Sequence, residues 1–329
     1  MKKAIITGIT GQDGSYLADL LLAKDYEVHG IVRRTSTVKA SRISHLTGEL
    51  GSSLFLHYAD LDDPQTLRRI IQKVSPDEFY HLAGQSHPGM SFEIPESTCR
   101  MTGMAVLSIL EILRDLNFPV KFFHASSSEI FGSPKDTELA NLSTAFRPSN
   151  PYGCAKALAT NLVQVYRDSY QLFTVNGICF NHESPRRGEN FLPKKVCKKV
   201  AEISCGLADN LFLGDIEAKR DWGYAPDYVL GMWLSLQYKT PQDFLFATGE
   251  LHSVRELVEY ASSLLRVDRD RVSCRDGLLR PEGSRILAGD SSKAKELLGW
   301  KPSISFYEMI SLMLQFELDQ LRSGQPLTS

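Results

Sequence analysis

The chain has 329 residues, 37 Lys and Arg against 39 Asp and Glu, a formal net charge of −2, 43% hydrophobic and 23% charged residues. That balance excludes intrinsic disorder and gives no overall electrostatic basis for binding nucleic acid or an anionic membrane. No apolar run approaches the roughly 18 residues of a bilayer span. The six cysteines (Cys99, Cys154, Cys179, Cys197, Cys205, Cys274) form no CxxC pair, which points away from a metal site and toward a reducing, cytoplasmic compartment.

The opening Met1-Lys2-Lys3-Ala4-Ile5-Ile6-Thr7-Gly8 is broken by Thr and Gly too soon for a signal peptide, so it reads as a strand. In chain order the pattern predicts strands over 4–7, 27–32, 54–58, 78–82, 120–125 and 173–179. Helices are predicted between them over 15–24, 64–74, 105–116 and 152–170. Asp62-Asp63-Pro64 supplies a capping carboxylate and then a proline at a helix start. Alternation of this kind implies βαβ crossovers and a parallel sheet covered on both faces. After about residue 181 the rhythm becomes irregular, and a last amphipathic segment spans 306–321.

Thr7-Gly8-Ile9-Thr10-Gly11-Gln12-Asp13-Gly14 follows the first strand and opens the first helix. Gly8 permits the turn, Gly11 lets backbone approach a pyrophosphate, and Gly14 allows close helix–strand packing. Thr10, Gln12 and Asp13 complete the expected cofactor loop. The second strand ends Val32-Arg33-Arg34-Thr35-Ser36, without the acid that reads an NAD ribose. NADP is therefore expected, with Arg33 or Arg34 and Ser36 on its 2′-phosphate; the alternative is a solvated basic loop. Asp60-Leu61, after the third strand, are expected near the adenine.

Tyr152-Gly153-Cys154-Ala155-Lys156 places a hydroxyl and an ammonium on one helix face. A neighbouring cation favours the phenolate, a base able to deprotonate an alcohol as hydride leaves. Upstream, Ser126-Ser127-Ser128-Glu129 ends an apolar strand, where open α/β sheets form their ligand crevice. Simple hydride transfer needs no carboxylate, so Glu129 reads either as a base for a second proton or as a capping or ion-paired residue.

The glycine loop, the serine cluster and the YxxxK pair together resemble the extended short-chain dehydrogenase/reductase superfamily. TGITGQDGSYL, IVRR, NHESPRRGE (Asn181–Glu189), AKRDWG with DYV, and FATG narrow this to the GDP-mannose 4,6-dehydratase family, almost end to end. The resemblance implies an α/β fold: a doubly wound, mostly parallel Rossmann sheet with a smaller, discontinuous substrate domain. The NADP part would be 1–180 plus about 225–250, and the sugar-nucleotide part about 181–224 and 251–322, with 323–329 a tail. It implies that Ser127, Tyr152 and Lys156 serve oxidation at sugar carbon 4. Glu129 would take the carbon-5 proton while water leaves carbon 6, and the hydride would return there. Leu82, Gln85, Tyr152, Lys156, His182 and Arg187 would touch the cofactor. Ser86, Ser127, Glu129, Asn181, Lys195, Arg220 and Arg280 would touch the substrate, a GDP-sugar.

Ser128 stands where thymidine-linked glucose dehydratases carry an Asp, which favours the guanosine-linked reaction. Two departures, Arg280-Pro281-Glu282-Gly283 and Gln85-Ser86-His87-Pro88-Gly89-Met90-Ser91, leave open a GDP-heptose or another nucleotide sugar. A 4-reductase or epimerase of the same superfamily and a non-catalytic NADP-sensing scaffold are the competing readings. A homodimer or homotetramer, with no nucleic-acid or membrane partner, is implied.

Overall fold

The structure, a computed structural model, describes residues 1–33, 41–132, 139–274 and 286–323. Arg34, Ser36 and Arg280 lie outside the described residues. In chain order the main elements are β1 (Lys3–Thr7), α1 (Gln12–Leu22), β2 (Glu27–Val32), β3 (Leu54–Tyr58), α2 (Pro64–Val74), β4 (Glu78–His81), α3 (Ala105–Arg114), β5 (Lys121–Ser127), α4 (Pro151–Tyr170), β6 (Thr174–Cys179), α5 (Leu192–Ser204), α6 (Ala225–Gln237), β7 (Phe244–Phe246), α7 (Val254–Leu265) and α8 (Phe306–Ser323).

The seven strands form one sheet in the order β7-β6-β5-β4-β1-β2-β3, every pair parallel. Winding reverses between β1 and β4, and this reversal opens a crevice at the carboxyl ends of the strands. Side chains alternate across the sheet, so both faces are apolar and buried. Ala4 and Ile6 pack with Leu17, Leu21, Met232 and Leu236 of α1 and α6. Ile5, Phe79 and Phe122 pack with Ile71, Ile109 and Val163 of α2, α3 and α4.

A separate apolar cluster joins Val196 and Val200 of α5, Leu257 and Ala261 of α7, and Met309 and Met313 of α8. Trp222, 2% exposed, stacks on Phe306 within it at 5.8 Å. Asp221 is tied to the sheet end by the backbone N–H groups of Thr248, Gly249 and Gly289, at 2.9, 2.9 and 3.1 Å. Residues Asn181–Glu183 pair in parallel with Trp222–Tyr224.

Two element boundaries differ from the sequence pattern in ways that matter. Helix α1 begins at Gln12, three residues before the predicted start, because the chain turns straight from Gly11 into the helix. Gly14 therefore sits in the first turn. Ahead of α3 the chain is already helical, through Pro95–Cys99 and a wide π-type turn at Arg100–Met104. That stretch lacks an apolar period, so only its proline marks it in the sequence. The expected α2 start is found: Pro64 is at the first helical position and the Asp63 carboxylate accepts from Thr66 N at 3.0 Å.

Candidate active site

A cavity of about 410 Å³ lies at the winding reversal. Its roof is the glycine loop. Gly8 holds φ +75°, and a Cβ on Gly14 would stand 2.2 Å from the Gly8 carbonyl oxygen. Neither position accepts a side chain without moving backbone. The roof thus presents main-chain N–H groups at the start of α1, an arrangement suited to phosphate.

The floor combines the end of β5 with the start of α4. Ser127, Glu129, Tyr152 and Lys156 all line the cavity, with Leu82, Gln85, Ser86, Asn181, His182, Arg187 and Arg220. Lys156 Nζ donates to the Ala125 carbonyl at 2.6 Å and lies 5.9 Å from the centre of the Tyr152 ring. Burial pushes the Tyr152 phenol well above its ordinary value, while a hydrogen bond with Ser127 pulls it down. Burial also pushes the Lys156 ammonium down to about 8, so it stays mostly protonated at neutral pH. Glu129, 9% exposed, accepts from Asn150 Nδ2 at 2.8 Å. Asn150 Oδ1 in turn caps α4 by accepting from Gly153 N at 2.8 Å.

One wall is the segment after β6, laced to the glycine loop. His182 Nε2 meets Asp13 Oδ2 at 2.9 Å, and His182 Nδ1 donates to the Phe180 carbonyl at 2.7 Å. Burial alone would raise Asp13, yet the His182 charge draws it down to about 2. Burial would lower His182, yet Asp13 raises it overall. Gln12 accepts from the Ser184 hydroxyl at 2.8 Å and donates to the His182 carbonyl at 3.1 Å. Arg187 pairs with buried Glu183 at 3.0 Å and lies over the Phe191 ring at 3.5 Å. Arg42 spans roof and wall, donating to the carbonyls of Arg186 and Thr10 at 2.7 and 3.3 Å.

Most of the cavity lining coincides with residues expected from the sequence, while Lys195, Asp60, Leu61 and Arg33 stand outside it. Lys195 lines an adjoining open recess of about 790 Å³, which shares Gln85, Ser86 and Phe191 with the cavity. Its ammonium donates to the Phe212 carbonyl at 3.2 Å. Leu61 is packed into the α2–α3–α4 face of the core, and the Asp60 carboxylate turns back to accept from Leu61 N at 2.7 Å; neither lines the cavity. Arg33 is exposed beyond β2 and also lies outside the lining. The Gln85 amide is used locally, accepting from His87 N at 2.6 Å and donating to its carbonyl at 2.9 Å. Asn150 and Arg42 went unnamed. Asn-Pro before Tyr152 is an N-cap signature and signalled the cap; nothing local signalled the Glu129 contact or Arg42.

Comparison with known proteins agrees with this geometry. Residues 5–313 match the family model described as GDP-mannose 4,6 dehydratase. GDP-mannose 4,6 dehydratase 2 of Arabidopsis thaliana is 45% identical over 97% of this chain and 87% of its own length. The human GDP-mannose 4,6 dehydratase is 43% identical over 98% and 92%. In fold, the dTDP-glucose 4,6-dehydratase DesIV of Streptomyces venezuelae, solved with NAD and TYD, superposes with a TM-score of 0.87 at 22% identity, covering 99% of each chain. A family model spanning most of the chain, and relatives above two-fifths identity across nearly all of it, show that this chain belongs to the GDP-mannose 4,6-dehydratase family.

Proposed function

We propose that the protein converts GDP-mannose to GDP-4-keto-6-deoxymannose, with NADP as its resident cofactor. The observation that carries this reading is the convergence of Ser127, Glu129, Tyr152 and Lys156 in one cavity beneath a glycine loop. The residues present fit a dinucleotide, since Gly8 and Gly14 leave room only for main chain beside the roof. Held beneath Gly8, Gly11 and Gly14 and beside Tyr152 and Lys156, a nicotinamide would supply reversible hydride transfer with the sugar. Arg33, with no acid at the end of β2, supports NADP over NAD.

The chain's own residues handle the protons. Tyr152 takes the proton of the carbon-4 hydroxyl, with the Lys156 charge beside it favouring the phenolate. Ser127 hydrogen-bonds that oxygen. Glu129 removes the carbon-5 proton; the C6–O bond breaks, and the departing hydroxyl carries that proton away as water. As carbon 6 is reduced, the proton held by Tyr152 passes to carbon 5, which restores the phenolate. Burial of the floor strengthens each of these interactions by excluding solvent. Arg187 and Arg220 face the diphosphate, and the recess with Lys195 takes the nucleotide. In this reading the sheet half holds the cofactor and the α5–α7–α8 cluster supports the sugar nucleotide. No helix among the described residues is long and apolar enough to cross a membrane. Leu158 and Val165, exposed and seven positions apart on α4, support a homo-oligomer.

The test is incubation of the holoenzyme with GDP-, UDP-, CDP- and dTDP-hexoses, followed by mass spectrometry. GDP-mannose should lose one water without net NADPH consumption. Stoichiometric NADPH oxidation, or dehydration only of another sugar nucleotide, overturns the assignment. A clear preference for NAD in cofactor binding overturns the role of Arg33.

A further inference from the structure

Glu129 and the helix bearing Tyr152 and Lys156 share one side chain. Asn150 is 3% exposed and spends both ends of its carboxamide inside the protein. Its oxygen caps α4 through Gly153 N, and its nitrogen donates to the Glu129 carboxylate, each at 2.8 Å. The backbone enforces this register. Arg147 N donates to the Ile130 carbonyl at 2.9 Å, and a Cβ on Gly153 would lie 2.6 Å from the Glu129 carbonyl oxygen. The segment before α4 is therefore packed directly against the segment carrying Glu129.

We propose that Asn150 is a positioning residue for proton abstraction: its Nδ2–H holds the Glu129 carboxylate ionised and aimed while its Oδ1 fixes the helix that aims Tyr152. A hydrogen bond given to a carboxylate favours the charged form, which is the form a base requires. An amide suits the place because it is donor and acceptor at once and carries no charge of its own. The other titratable groups lining the cavity are Asp13 from α1, Tyr152 and Lys156 from α4, Cys179 from β6, and His182, Arg187 and Arg220. The proposal rests on the reading of Glu129 as the carbon-5 base.

Two variants separate positioning from capping. Asn150→Ala removes donor and cap together. Asn150→Asp keeps the acceptor, and a carboxylate is a good cap at a helix N-terminus. As a donor, however, it works only while it and Glu129 share a proton. In the holoenzyme with GDP-mannose, N150A should lose about 10- to 100-fold in kcat, the range for a hydrogen bond to a charged group. Its isotope effect with carbon-5-deuterated substrate should rise. N150D should keep the parent's melting temperature, and its kcat should fall as pH rises and the shared proton leaves. N150A within about twofold of the parent, or N150D with the parent's pH profile and isotope effect, overturns the proposal. Glu129→Gln is the control. If E129Q still turns over at the parent's rate, Glu129 is not the base and both readings fall. If E129Q is inactive while both Asn150 variants match the parent, the Asn150 proposal falls alone.

Discussion

Along the floor of the cavity, burial drives groups toward their neutral forms: the Tyr152 phenol moves up and the Lys156 ammonium moves down to about 8. Along the wall, pairing overcomes the same burial: Asp13 falls to about 2 and His182 rises. Asp13 and His182 complete each other's charge, whereas Tyr152 and Lys156 are held by uncharged partners, the Ser127 hydroxyl and the Ala125 carbonyl. In the proposed function the Asp13–His182 pair holds the wall in place, and the floor carries the chemistry. Changes to the floor should therefore fall on turnover, and changes to the wall on stability and cofactor retention.

The sharpest way to break that contrast is Tyr152→Phe. It should lower kcat by about 10²- to 10⁴-fold, the range for a lost general base, and leave the unfolding midpoint unchanged or higher. Product formation and thermal denaturation check both halves. A matching loss of stability would make the floor structural as well.

His182→Gln tests the wall and should cost about 1–2 kcal/mol near pH 6, less than a fully buried pair, because both side chains retain some exposure. The sign with pH follows from the two shifts. His182 is raised above its ordinary 6.5, so its contribution is complete below 6.5 and is lost as pH rises through the raised value. Asp13 is lowered, so its contribution is complete above 3.8 and is lost as pH falls through about 2. Denaturant midpoints of parent and variant should converge as the buffer moves from about pH 6 to about pH 9. A gap independent of pH would mean that the pair contributes no charge. The smallest effect belongs to half-buried Lys195→Met, in the open recess: KM for the sugar nucleotide should rise about three- to tenfold with kcat nearly unchanged, since a cation remote from the reacting carbons binds ground and transition states alike.

Several features were legible in the residues because their causes are local. A glycine loop between strand and helix, a YxxxK pair one turn apart and an Asp-Pro helix start each follow from backbone geometry within a few positions. The pattern of β1 to β6 followed from apolar runs long enough to be buried on both faces. The strand β7 was not foreseen: three residues, Phe244–Phe246, are too few to show a period, and they join the sheet only because β6 offers an open edge.

The sequence by itself thus determined the cofactor loop, the hydroxyl–lysine pair, the acid after the serines and the family stretch from Asn181 to Glu189. Only the tertiary structure decided what these residues touch. Asp13 and His182 stand 169 positions apart and Arg42 and Arg186 stand 144 apart, so no local rule couples them. The same holds for Asn150 against Glu129, for Lys195 in its separate recess and for Leu61 in the core. Short-range backbone preferences write themselves into neighbouring residues, whereas a side chain's partner is fixed only when packing brings distant segments together.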